Sequence, residues 1–283
     1  MKILAPIVSI EISQKCNLAC AHCMRGEPEN ISITKDILNS FFDEVKGGKA
    51  LVISGGEPFI CYDEIKEVME VIKQKEVLFG GVIIVTNGTV YDERIYSLLE
   101  NNFEIIQICV SHDKYHLESI EKLYDEDRIS NNPSLNPLNF EEVLDNLKRH
   151  INSPYFDEFY QEHEYLINMG RTLELDVPKK ELDLLGYFYS DLLDEILLVG
   201  PEIYLDSLGY ITDGNTSYDK REELSIGNIK NSSLYNMVIN NTIRIECRNV
   251  EEFLASMNKR TEEYSHYAGN KYVYKNNKVM LKK

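Results

Sequence analysis

The stretch Cys16-Asn17-Leu18-Ala19-Cys20-Ala21-His22-Cys23 gathers three of the six cysteines of the chain within eight residues, just downstream of an apolar run. A loop with this C-x3-C-x2-C spacing can turn all three sulfurs toward one soft metal centre. A structural zinc site would close its tetrahedron with a second Cys or His pair a dozen or more residues on. No such pair presents itself, since His22 lies between two of the cysteines and Cys61, Cys109 and Cys247 are isolated. A disulfide framework is also disfavoured, because a 283-residue acidic chain without a recognisable signal peptide reads as cytoplasmic. A four-iron cluster on three cysteines, with one iron open, is the remaining option, and structural zinc is its rival.

The flanking pattern supports a βα order. Ile7 to Ser13 reads as a buried strand running into the cysteine loop, and Thr34 is placed to cap a helix through Val45, which Gly47-Gly48 would end. A second strand, Ala50 to Ser54, ends in Gly55-Gly56-Glu57-Pro58. There two glycines let the backbone turn closely under a ligand, and Glu57 can accept from an ammonium. A helix from Tyr62 to Val77 precedes the third strand, Gly81 to Val85, which ends in Thr86-Asn87-Gly88-Thr89. A helix from Asp92 to Asn101 then leads to the fourth strand, Ile105 to Val110, and to Ser111-His112-Asp113. His112 and His116 have the spacing of two metal ligands on one helix, or of one proton carrier with a neighbour; ordinary surface or hydrogen-bonded histidines are the plain alternative.

With the cysteine loop after the first strand and Gly-Gly-Glu-Pro one βα unit later, the chain resembles the radical SAM superfamily. The resemblance implies a partial (β/α)6-type TIM-like barrel and one [4Fe-4S] cluster on Cys16, Cys20 and Cys23. It further implies that S-adenosylmethionine binds the open iron and is reductively cleaved to a 5′-deoxyadenosyl radical, which abstracts a substrate hydrogen. By the same resemblance Gly55, Gly56 and Glu57 contact the methionine amino group, Thr86 and Asn87 lie near cofactor and substrate, and Ser111 gives a polar contact. Arg171, in Gly170-Arg171-Thr172, supplies a cation for a cofactor or substrate carboxylate. No catalytic residue is assigned beyond these.

Regularity fades after the fourth unit. Asp125 to Pro137 reads as a loop, Asn139 to His150 as a helix, and Glu164 to Met169 as the last readable segment before Arg171, so the barrel is expected to be abbreviated. A barrel core over residues 1–175 and a small α/β extension over 176–283 follow. The extension has a hairpin over Glu202 to Thr212, an Ile226-Gly227-Asn228-Ile229 phrase, a short helix and a terminal hairpin over Tyr272 to Leu281. It resembles the SPASM or twitch extension of peptide-modifying radical SAM enzymes, but the auxiliary-cluster cysteines are missing, with Asp213, Gly214 and Asn215 near where one is expected.

A ribosomally synthesised peptide is therefore the expected substrate, cross-linked, epimerised or otherwise oxidised. A small molecule such as a nucleotide or amino acid is the alternative, and a non-catalytic zinc-binding interaction protein is the alternative of another class. A reductase, flavodoxin or ferredoxin is the expected electron donor. A net charge of -17 argues against a nucleic-acid backbone as partner, and no apolar run is long enough to cross a bilayer.

Overall fold

The computed structural model describes residues 1–121, 140–160, 166–167, 170–176, 179–180, 188–193, 195–212, 214, 216–263, 272–275 and 278–281. The loop expected over 125–137 lies outside them, as do Asp213 and Asn215.

Strand β1 (Lys2–Glu11) starts five residues earlier than its apolar core predicts. Val8, Ser9, Ile10 and Glu11 are all buried, as befits a parallel strand covered on both faces. After the cysteine segment, helix α1 (Lys35–Glu44) begins at Thr34, whose Oγ1 accepts from Ile37 N at 3.4 Å, and buries Ile37, Leu38, Phe41 and Phe42. Gly47-Gly48 does not end this helix, contrary to the expectation. The chain turns extended at Val45, and both glycines belong to strand β2 (Val45–Ser54). A Cβ on Gly47 would lie 2.0 Å from Leu78 O, and one on Gly48 2.2 Å from Ala5 O. Glycine is needed there because a short strand, β3 (Leu78–Phe79), and β1 close in on β2 from either side.

Helix α2 (Tyr62–Gln74), strand β4 (Val82–Thr86), helix α3 (Glu93–Glu100, capped by Asp92), strand β5 (Ile106–His112) and helix α4 (Lys114–Glu121) continue the alternation. Helix α5 (Phe140–Ile151) leads into strand β6 (Phe156–Tyr160), which pairs in parallel with β5. Of the segment expected at Glu164 to Met169, the described part is β7 (Leu166–Ile167), paired with β8 (Lys179–Lys180).

The C-terminal third returns to the middle of the molecule. Strands β9 (Phe188–Leu193) and β10 (Ile196–Gly200) are antiparallel, and β10 lies parallel to the first half of β1. Strand β11 (Glu202–Leu205) takes the second half of β1, also in parallel, and forms the expected hairpin with β12 (Tyr210–Thr212). Strand β13 (Gly227–Asn228) extends it, helix α6 (Leu234–Asn241) packs beside α1, and β14 (Ile243–Arg244) joins β9. Helix α7 (Val250–Glu263) follows, burying Phe253 against Leu198 of β10. The terminal hairpin, β15 (Tyr272–Lys275) with β16 (Lys278–Leu281), is as expected.

The main sheet runs β13-β12-β11-β1-β2-β4-β5-β6, and the successive pairs from β11 to β6 are parallel. It is the expected α/β parallel sheet with crossover helices, and it is open, with β13 and β6 at its edges among the described residues. Parallel order brings the C-terminal ends of β1, β2, β4 and β5 to one rim, where the segments singled out in the sequence meet.

Candidate active site at the strand ends

The three cysteines share one pocket. Cys20 is buried with Leu18, Ile120 and Val143, and Cys16, Cys23 and Leu147 pack against that cluster. All three are free thiols. Burial raises the Cys16 thiol well above its usual range, with the Glu57 carboxylate and the other two sulfurs adding to the effect. Burial likewise pushes Cys20 up to about 12. Cys61 and Cys109 are also pushed to about 12 by burial, so a raised value alone does not mark a site. What sets the triplet apart is proximity: deprotonated together in a largely apolar pocket, these sulfurs would repel one another unless a multiply charged metal centre lay between them. The donor set fits a thiolate-bound iron–sulfur cluster.

The sulfurs already have hydrogen-bonding neighbours. Leu18 N donates to Cys16 Sγ at 3.4 Å, and Asn87 Nδ2 approaches the same sulfur at 3.9 Å. Ser119, reaching from α4, hydrogen-bonds the Cys20 thiol and accepts from Ala19 N at 3.2 Å.

The Gly-Gly-Glu segment is stitched to this loop by its backbone. Gly56 N donates to Ser13 O and Glu57 N to Lys15 O, both at 2.8 Å. A Cβ on Gly55 would meet Ser13 O at 2.6 Å, and one on Gly56 would meet Lys15 O at 2.1 Å and Cys16 Cβ at 2.9 Å. Glu57 is 1% exposed. Its Oε1 accepts from Thr86 Oγ1 at 2.6 Å and Phe59 N at 2.8 Å, and its Oε2 from Asn87 N at 2.7 Å. Glu57 thus ties the end of β2 to the end of β4. Asn87 passes the connection on: its Nδ2 donates to Asn17 Oδ1 at 3.0 Å, and Asn17 Nδ2 donates to Thr89 Oγ1 at 2.7 Å. Only its position between two cysteines marked Asn17 in the sequence.

Arg171 also reaches the site. Its backbone N donates to Cys23 O at 3.0 Å, and Gly170 (φ +58°) sits so close that a Cβ would lie 2.3 Å from Met24 O. The guanidinium is 3.4 Å from Glu27, with Nε and Nη1 buried and lacking hydrogen-bond partners, and its charge lowers the pKa of Cys20. A half-buried cation, with two buried nitrogens that make no hydrogen bond and docked on the cysteine loop, is suited to an anionic ligand.

Ser111 is half-buried at the same rim, on β5 opposite Phe159. The two expected histidines do not share a helix: His112 is the last residue of β5 and His116 lies in α4. Strand geometry at His112 separates them, and the partners of His116 are instead Asp113 and His22.

A second polar network joins the cysteine loop to the C-terminal hairpin. Arg25 donates from Nη1 to Thr216 O at 2.7 Å, and from Nη2 to Gly214 O at 2.7 Å and Tyr204 OH at 2.6 Å. Glu11 lies 3.9 Å from Arg25 and accepts from Ser207 Oγ at 2.8 Å. A charge inside the apolar run of β1 was the available sequence signal for this network. Asp206, beside it, is raised to about 6 by burial and by Glu11, despite Arg221 at 3.6 Å.

The family described as the Radical SAM superfamily matches residues 10–172. A Bacillus subtilis protein named for peptide biosynthesis, YydG, is 27% identical over 118 residues, spanning 38% of this chain and 36% of YydG. An uncharacterized protein of Methanocaldococcus jannaschii, MJ0804, is 26% identical over 251 residues, spanning 87% of this chain and 77% of that protein. The GTP 3',8-cyclase of Clostridium perfringens strain SM101 is 25% identical over 191 residues, spanning 62% of this chain and 55% of the cyclase. The matched stretch is thus about a third of YydG and about half of the cyclase.

Proposed function

The chain belongs to the radical SAM superfamily, and from that premise we propose that it is an enzyme acting on a ribosomally synthesised peptide, with Cys16, Cys20 and Cys23 holding a [4Fe-4S] cluster. When bound, the cluster and S-adenosylmethionine supply reductive sulfonium cleavage and abstraction of a substrate hydrogen. The protein's residues have three other tasks. Leu18, Ile120, Val143 and Leu147 keep water from the sulfurs. Leu18 N, Ser119 and Asn87 hold the thiolates by hydrogen bonds. Arg171 offers a fixed cation, at a distance from the cysteines set by its backbone bond to Cys23, for the carboxylate of the cofactor or substrate. Gly55, Gly56, Glu57, Thr86 and Asn87 shape the floor of the site, and Ser111 adds a hydroxyl at its rim. Asn87 takes part in this directly, since its backbone meets Glu57 while its side chain meets Asn17 and Cys16.

The convergence of the three cysteines in one apolar pocket carries this reading. The likeness to YydG favours a peptide; the longer match to a GTP 3',8-cyclase favours a second reading, a nucleotide-like small molecule in the same site. The described helices include none long and apolar enough to cross a membrane, and we place the enzyme in the cytoplasm, served by a flavodoxin, ferredoxin or reductase. Anaerobic reconstitution with iron and sulfide, followed by reduction with S-adenosylmethionine, tests the reading. Release of 5′-deoxyadenosine, lost together with the visible cluster absorbance in Cys20→Ala, is expected. Retention of the absorbance in Cys20→Ala would overturn the cluster assignment. Mass change of a precursor peptide encoded beside the gene, or of GTP, decides between the two substrates.

A further inference from the structure

Beside the cysteine pocket the structure assembles a set of nitrogen and oxygen donors that the cluster does not use. Asp113 follows β5 and starts α4, and its two oxygens have separate roles. Oδ1 caps the helix, accepting from Tyr115 N at 2.9 Å and His116 N at 3.0 Å. Oδ2 faces two imidazoles, lying 2.7 Å from His116 Nδ1 and 3.4 Å from His22 Nε2. The donor atoms of the three residues lie within 4.8 Å of one another. Their side chains are held before any ligand arrives: His22 stacks on Tyr115 at 4.8 Å and 18°, meets His116 edge-on at 4.8 Å, and Asp113 is 7% exposed.

We propose that His22, Asp113 and His116 form a binding site for a divalent first-row transition-metal cation. Two imidazoles and one carboxylate are the donor set such ions accept with positions left open. Metal bonds of about 2.0–2.2 Å place neighbouring ligand atoms about 3.0–3.4 Å apart in octahedral or tetrahedral geometry, and the two Asp113 separations, 2.7 and 3.4 Å, bracket that range closely. The donor atoms now lie within 4.8 Å of one another, so the side chains draw together when the ion binds. The ion would tie the cysteine loop, through His22, to the N-terminus of α4, and would leave coordination positions for water or for an oxygen donor of a substrate. The site stands on its own donors, so it holds whether the substrate is a peptide or a nucleotide.

Equilibrium dialysis of the cluster-loaded chain against Co2+, with bound cobalt counted by elemental analysis, tests it. A single cobalt per chain is expected. Affinity should fall by at least about tenfold, the lower end of what even an outer partner of a metal is worth, in His116→Gln and in Asp113→Asn, which keeps the Oδ1 cap. Leu117→Gln, an exposed position on the same helix, should bind as wild type does. Iron content and cluster absorbance, measured on the same samples, report separately on the cysteines and on folding. Absence of bound cobalt in a cluster-loaded chain, or cobalt retained undiminished in both His116→Gln and Asp113→Asn, overturns the proposal.

Discussion

Glu57 accepts three hydrogen bonds in full burial, from a hydroxyl and two backbone amides. Burial raises its pKa, against the lowering effect of those donors. A glutamine there has one acceptor oxygen and turns an amide donor toward groups that donate already. Glu57→Gln should therefore cost about 1–3 kcal/mol, read as a lower urea midpoint of the cluster-free chain; an unchanged midpoint would mean the strut carries no load. Asp206 offers a test in pH. Its carboxyl is raised from 3.8 to about 6 in the folded chain, so the folded state holds the proton more tightly than the unfolded state. The resulting stability is present below pH of about 4 and is lost as pH rises through about 6, roughly 3 kcal/mol in all. Asp206→Asn keeps an oxygen for Leu208 N and Tyr210 N, which Asp206 Oδ1 now accepts, and removes the titration. Urea unfolding at pH 4 and pH 7 should show Asp206→Asn gaining on the wild type at the higher pH, and a constant difference would refute the assignment.

Elements whose signals are local were legible in the sequence. Thr34 and Asp92 cap their helices because a cap needs only the next three residues, and β4 and β5 follow their apolar runs. Gly47-Gly48 carries the same local signal as a helix stop, yet its cause lies in Leu78 and Ala5, two other strands. The candidate site divides in the same way. The cysteines, Gly55 to Glu57, Thr86-Asn87 and Arg171 stood out by motif, whereas Ser119, Asn17 and Arg25 act across 100, 72 and 191 residues, which no local pattern can report. Gly56 shows what the motif's glycine does here. Its Cβ position is filled by backbone, Lys15 O at 2.1 Å, which cannot swing aside as a side chain can. Gly56→Ala must displace the cysteine loop, at a cost of about 1–3 kcal/mol by overpacking. The expected outcome is a chain that still folds but retains less iron after reconstitution and desalting; full iron retention would show that the two loops are not rigidly joined.

At the scale of the molecule, β1 is the strand on which both halves depend. One edge pairs with β2 along its length, and the other is filled by β10 over Lys2 to Leu4 and by β11 over Ile7 to Ile10. Leu4 packs with Leu198 and Phe253, and Glu44 of α1 accepts from Leu234 N and Tyr235 N at 2.7 and 2.9 Å, capping α6. Arg25 adds its bonds to Gly214 and Thr216 right beside the cysteine loop. A barrel core of residues 1–175 that stood alone would leave the long apolar β1 with an unpaired edge and Arg25 without its three acceptors, Tyr204 OH, Gly214 O and Thr216 O. A chain truncated after residue 175 should accordingly lose cooperative unfolding and self-associate, measured by urea titration and light scattering, and should fail to hold a cluster. Recovery of a monomeric, cooperatively unfolding and cluster-binding fragment would instead make residues 176–283 an appendage, and the pairing of β10 and β11 with β1 dispensable to the fold.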